Sequence, residues 1–189
     1  MSEAQAPLHR PRIRVAVIMR REPVQGPMAR WQSWRWTVDE VVPQEPGFGA
    51  EPRCLRDCGQ HTLWLYPDWT VELFTDDAEG YWLNVSSPTP AFFVMWRMSE
   101  PEEGAQALAR PQAVSLSYQD AGRWLDAQET VETSPAPLDV IEWVRAFAEQ
   151  HFVPEPKRRQ RPQSFQRLTD RFGQPVSVST EIKRKGGPV

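Results

Sequence analysis

Only two cysteines, Cys54 and Cys58, occur in the 189 residues. No export signal is expected, because residues 1–12 carry no apolar core segment. The two cysteines are therefore expected as free thiols in a reducing cytoplasm rather than as staples of a disulfide scaffold. No apolar run approaches the roughly 18 residues that span a bilayer, so no membrane segment is expected. No internal repeat occurs, which excludes solenoids and propellers. No Ser/His/Asp or Cys/His arrangement for nucleophilic catalysis stands out, and the reading points away from an enzyme.

What is abundant is tryptophan and proline, with nine and nineteen copies, in a chain that is 40% hydrophobic. That combination favours short, aromatic-packed strands joined by proline-rich turns, and the length suits one globular domain. Charge is unevenly placed. Residues 154–189 hold nine Lys/Arg against three acids, or +6, which leaves the remainder at −9 within the overall net charge of −3. The expected organisation is a flexible leader (1–11), one β-rich acidic domain (12–153) and a basic, disordered tail (154–189).

Period-two alternation over residues 13–19 and 34–42 predicts two strands. In the second, Trp34, Trp36 and Val38 share one face and Arg35, Thr37 and Asp39 the other. Residues 43–52 read as a loop, and 63–66 with 70–74 as a hairpin around Pro67-Asp68. The stretch 80–98 reads as a central hairpin, with Tyr81, Leu83 and Val85 on its first strand and Phe92, Val94, Trp96 and Met98 on its second. A final strand is expected over 113–117. Ser117 followed by Asp120 has capping-box spacing and predicts a helix to about residue 127, with Ala121, Trp124 and Leu125 inward. A second helix is expected to start at Ser134-Pro135-Ala136-Pro137, with a proline tolerated in its first turn and Val140, Ile141, Trp143, Val144, Phe147 and Ala148 forming an apolar stripe. The fold class is α+β: mostly antiparallel, a curled sheet or partly open barrel of about seven strands closed by the C-terminal helix.

Several motifs in this order carry a resemblance. They are Val15-Ala16-Val17-Ile18-Met19-Arg20-Arg21, Arg30-Trp31-Gln32-Ser33-Trp34-Arg35-Trp36, Glu79-Gly80-Tyr81-Trp82-Leu83-Asn84, Phe93-Val94-Met95-Trp96-Arg97, the run from Ser117 to Asp126, then Glu129 and Val131, and a helix from Pro137 to Pro156 with a basic exit. Over about residues 12–160 the chain resembles an uncharacterised proteobacterial family, the domain of unknown function 3305. The resemblance implies no activity and no catalytic residues. It implies a gene neighbourhood containing formate dehydrogenase and molybdenum-cofactor genes. Some members carry the label of molybdopterin-guanine dinucleotide synthesis, but this chain has no glycine-rich nucleotide loop after a strand, which such an enzyme needs.

Candidate sites are few. Cys54, Cys58 and His61 form a C-x3-C-x2-H cluster that supplies three of the four ligands a structural zinc requires, the fourth being His9, His151 or an acid. Two incidental loop thiols explain the same residues. Trp31, Trp34 and Trp36 with Arg30 and Arg35 have the composition of a stacking platform, yet the parity of Trp34 and Trp36 marks them as core and leaves Trp31 exposed. Asp76, Asp77 and Glu79 read as turn residues. In the tail, Lys157, Arg158, Arg159 and Arg161, with Phe165, Leu168 and Phe172 at helical spacing, are expected to dock onto an acidic partner or an edge strand, while a solvated tail explains the same residues. An acidic body repels nucleic acid, so nucleic-acid binding through the tail and Trp31 is not expected.

The sequence therefore points to a non-catalytic cytoplasmic accessory protein with a protein partner, and the resemblance points to formate dehydrogenase or its maturation factors. No cofactor is expected. The alternatives are a zinc- or small-molecule-binding protein or enzyme that uses the Cys54/Cys58/His61 loop, and, less expected, a nucleic-acid binder that uses the basic tail.

Overall fold

The computed structural model of the protein describes residues 10–100 and 107–153. Among these residues seven strands and three α-helices follow in the order β1 (Arg12–Pro23), β2 (Trp34–Pro43), β3 (Arg53–Asp57), β4 (Thr62–Glu72), α1 (Ala78–Val85), β5 (Ala91–Met98), β6 (Ala109–Ser115), α2 (Tyr118–Asp126), β7 (Thr130–Pro135) and α3 (Leu138–His151). The fold is α+β with antiparallel pairing throughout, as the alternation predicts. The strands do not form one curled sheet or barrel. They make a four-stranded sheet, β2-β1-β4-β3, and a three-stranded sheet, β6-β5-β7.

Side chains join the edges of the two sheets. The backbone N–H groups of Val38 and Val41 on edge strand β2 donate to Glu132 Oε2 (2.6 Å) and Ser134 Oγ (3.0 Å) of β7. Unpaired edge groups are thereby satisfied without a continuous ladder, which also blunts the edge against foreign strands. β7 was not expected from the sequence, because only Val131 of its six residues is apolar and periodicity has nothing to register.

The predicted hairpin over 80–98 is half right. β5 is central in its sheet, and Phe92, Val94 and Trp96 belong to the core. Its supposed partner is α1. The apolar residues there satisfy both periods, since 81, 83 and 85 alternate while 78, 81 and 85 follow one helical face. The acids of Asp76-Asp77-Ala78-Glu79 favour a helix start, and the helix buries Ala78, Tyr81 and Val85 while leaving Leu83 46% exposed.

The predicted hairpin around Pro67-Asp68 is likewise one strand, β4. Val15 opposes Trp69 and Val17 opposes Tyr66, so β4 carries one extra residue at this point. A bulge accommodates a proline that cannot donate to the ladder and an aspartate at φ +67°. Asp68 is held by an ion pair with Arg14 and by its N–H donating to Gln44 Oε1 at 2.9 Å.

Ser117 caps α2 as expected, its Oγ accepting the Asp120 N–H at 3.4 Å. Ala121 is buried, but Leu125 points outward and is 57% exposed. Helix α3 sends Val140, Val144, Phe147 and Ala148 into the same core as β1 and β5.

Tyr66 and Tyr81 lie in this core, and burial pushes both phenols up to about 12 from their ordinary value of 10. Tyr81 Oη also accepts the Phe74 N–H at 3.2 Å. A folded-state value above the unfolded one contributes stability that is present below pH 10 and lost as the pH climbs towards 12. Urea titrations are expected to show a midpoint that falls across that alkaline window, and a smaller fall in the Tyr81→Phe variant. A Tyr81→Phe variant that falls as steeply as the parent would contradict this assignment.

Candidate functional site

Beyond Met19 strand β1 leaves the core, and the alternation of the β1–β2 pair sorts side chains onto two faces. Arg21 opposes Trp36 and Pro23 opposes Trp34, whereas Glu22 opposes Arg35 and Arg20 opposes Thr37. Cross-strand partners share a face, so the tryptophans and Arg21 lie on one side and Arg20, Glu22 and Arg35 on the other.

The first side forms a groove of ≈ 380 Å³ lined by Arg21, Gln32, Ser33, Trp34, Trp36, Trp96, Met98 and Ala107. Trp36 and Trp96 are 8% and 9% exposed and make its floor, while Trp34 is half-buried. The Arg21 guanidinium stacks over the Trp34 ring at 4.1 Å, an arrangement in which the cation faces the negative ring quadrupole. Trp96 Nε1 is buried and has no hydrogen-bond partner among the described residues. Parity analysis assigns Trp34 and Trp36 to the core. That holds for Trp36, but both also line an open aromatic groove.

Trp31 stands immediately before the groove-lining Gln32 and is 87% exposed. It follows a 3-10 turn over Pro27–Arg30. The loop is tied down by its own backbone: Trp31 and Gln32 N–H groups donate to Met28 O (3.0 and 3.1 Å), and Val24 N–H donates to Ser33 O at 3.0 Å. A bonded loop therefore displays the indole to solvent. Arg35, grouped with the tryptophans in sequence, faces away and pairs with Glu22, Nε to Oε1 at 2.7 Å.

The opposite face carries a polar groove of ≈ 670 Å³ lined by Arg20, Glu22, Pro23, Val24, Gln25, Arg35, Gln60 and His61. Arg20 pairs with Asp39 and Arg35 with Glu22, so its charges are largely matched. Beside it lies the C-x3-C-x2-H cluster. Cys58 and His61 meet, with Sγ 3.3 Å from Nδ1. Cys54 stands apart on β3 opposite Trp64, three positions along β4 from His61. Among the described residues no group of three His, Cys, Asp or Glu is placed to hold a metal ion. The contact between Cys58 and His61 is a Cys/His arrangement that sequence order does not reveal.

Asp77 and Asp120 both pair with Arg123, and Glu79 accepts from Gln119 at 3.0 Å, so these acids tie α1 to α2. Lys157, Arg158, Arg159, Arg161, Phe165, Leu168 and Phe172 lie outside the described residues. No helix among the described residues is long and apolar enough to cross a membrane.

A family model, protein of unknown function (DUF3305), matches residues 14–161, a span that contains both grooves and every motif of the resemblance. No curated protein and no solved structure matches the chain. With most of its length inside that match, the chain belongs to the DUF3305 family of proteins of unknown function.

Proposed function

We propose that the protein is a non-catalytic accessory protein that binds a protein partner through Trp31 and the aromatic groove that begins at its neighbour Gln32. One observation carries this reading: an 87% exposed indole on a backbone-bonded loop, next in sequence to a groove floored by Trp36 and Trp96. Leaving a whole indole in water forfeits much of its large hydrophobic burial, and Trp, Met and Arg are the residues enriched at protein interfaces and their hot spots. A rigid loop lowers the ordering cost of binding. The basic segment 157–161 supplies a second, electrostatic contact to an acidic partner. The gene neighbourhood implied by the family resemblance makes formate dehydrogenase, or the machinery that matures its molybdenum cofactor, the first partner to test.

The test is a titration of immobilised full-length protein with purified formate dehydrogenase. Trp31→Ala is expected to weaken binding at least tenfold, about 1.4 kcal/mol, as for an interface anchor. Because the indole touches solvent, the same variant should stay within about 0.5 kcal/mol of the parent in stability. Undiminished binding by Trp31→Ala would remove this face from the function, and absence of binding by the parent would remove this partner.

A further inference from the structure

We propose that Cys58 is a nucleophilic thiol, with His61 as its base, at which the protein forms mixed disulfides with low-molecular-weight disulfides. The pair is built by the connection between β3 and β4. Cys58 and His61 face each other across Gly59-Gln60, with the Cys58 N–H donating to the His61 carbonyl at 3.2 Å. Gly59 adopts φ +74°, which a residue with a Cβ takes only with strain, and its N–H donates to Asp57 Oδ1 at 3.1 Å. The closed turn brings the two side chains onto one another. Sγ lies 3.3 Å from Nδ1 and 3.4 Å from the His61 carbonyl oxygen, so two acceptors compete for one S–H proton.

A thiol within hydrogen-bond reach of an imidazole is the pairing that nucleophilic cysteine chemistry uses. Geometry alone is insufficient where the sulfur is buried, but Cys58 is exposed. His61 also lines the ≈ 670 Å³ polar groove, whose Gln25, Gln60, Arg20 and Arg35 give a polar disulfide a place to rest beside the base.

In the tautomer protonated at Nε2, Nδ1 takes the thiol proton as Sγ attacks one sulfur of RS–SR. The Sγ–S bond forms as the S–S bond breaks, and the departing RS⁻ recovers the proton from the imidazolium as RSH. The protein thiol is oxidised, the small disulfide is reduced, and no other reactant is needed.

Cys54 does not resolve the product. It lies three ladder positions from Cys58, about 10 Å at roughly 3.3 Å per residue, whereas a disulfide needs Cα atoms about 4.4–6.8 Å apart. The mixed disulfide therefore persists until an external thiol removes it.

The chain contains its own control, because Cys54 is equally free and exposed. Reduced full-length protein is incubated with glutathione disulfide, and each site is followed by peptide mass spectrometry. Cys58 is expected to react about tenfold faster than Cys54, a modest general-base effect for a pair open to water. His61→Ala should bring Cys58 down to the Cys54 rate without changing the melting temperature, and Cys54→Ser should leave both the Cys58 rate and the lifetime of its product unchanged. Equal rates at the two cysteines, or a Cys58 rate indifferent to His61→Ala, would overturn the proposal.

Discussion

Replacing Asn84 by leucine is expected to destabilise the protein by about 3–5 kcal/mol and to lower its melting temperature by about 10 °C. Asn84 is 2% exposed on the inner face of α1. Its Nδ2 donates to the carbonyls of Ala91 and Leu116, both at 2.8 Å, and its Oδ1 accepts the Ala91 N–H at 3.0 Å. One side chain thus satisfies three backbone groups, at the start of β5 and in the link from β6 to α2. Leucine has nearly the same shape, so packing is conserved while all three groups lose their partner where water cannot replace it. Each orphaned group costs about 1–3 kcal/mol. The Asn84→Asp variant separates hydrogen bonding from shape. Its Oδ still accepts from Ala91, but a carboxylate then faces two carbonyl oxygens, which raises its pKa in the folded state. Stability should accordingly be highest where that carboxyl is protonated and decline as the pH rises through its folded value. Urea unfolding measures both variants. A leucine variant within 1 kcal/mol of the parent would mean that α1 is not pinned in this way.

Asn84 also shows where the sequence was readable and where it was not. Strands β1, β2 and β5 were legible because each buries one face or both, and burial writes alternation into the residues. Helices α2 and α3 were legible from the Ser117 cap and the stripe from Val140 to Ala148. The four misread elements have three causes. In α1, eight residues rich in apolar side chains satisfy both periods, and what decides between them is tertiary: Asn84 finds its partners only when it sits on a helix against β5. In β4, Pro67-Asp68 looks like a turn because it uses turn residues, but it uses them for a bulge. In β3 and β7 there is little to read, since β3 exposes all five residues and β7 works through Glu132 and Ser134.

The candidate site was legible in the same measure. Exposure of Trp31 followed from its odd place before an alternating strand. That Trp34 and Trp36 line a groove did not, because the groove's other wall, Trp96 and Met98, comes from β5 some sixty positions on. The parity of β1 puts Arg21 on the face of Val17 and Met19, and only the register with β2 brings that face to the tryptophans. The Cys58–His61 contact was obscured by spacing: C-x3-C-x2-H suggests three ligands, whereas an extended β3 carries Cys54 away and a tight turn folds only the last two together.

Gly80→Ala reverses the usual sign of a glycine substitution in a helix. Alanine within a helix ordinarily gains up to about 1 kcal/mol over glycine by removing backbone freedom from the unfolded chain. At position 80, on the face of α1 that meets α2, the expected outcome is instead a loss of about 2–4 kcal/mol. A Cβ built there collides with Ser117 Oγ and comes within 3.3 Å of Gln119 N and Cγ. Ser117 cannot easily yield. It is fully buried, its N–H donates to Ser115 Oγ at 3.0 Å, its Oγ caps α2, and Ser115 Oγ in turn donates to Asp120 Oδ2 at 2.5 Å. The methyl must therefore part α1 from α2 or break the cap, at about 1–3 kcal/mol for overpacking and about 1 kcal/mol for the cap. Removing the obstacle supplies the decisive comparison. Ser117→Gly alone sacrifices a few tenths of a kcal/mol of capping, yet combined with Gly80→Ala it should recover at least 1 kcal/mol relative to Gly80→Ala alone. Two effects that simply add would show that the strain lies elsewhere, because only residues in contact couple this strongly.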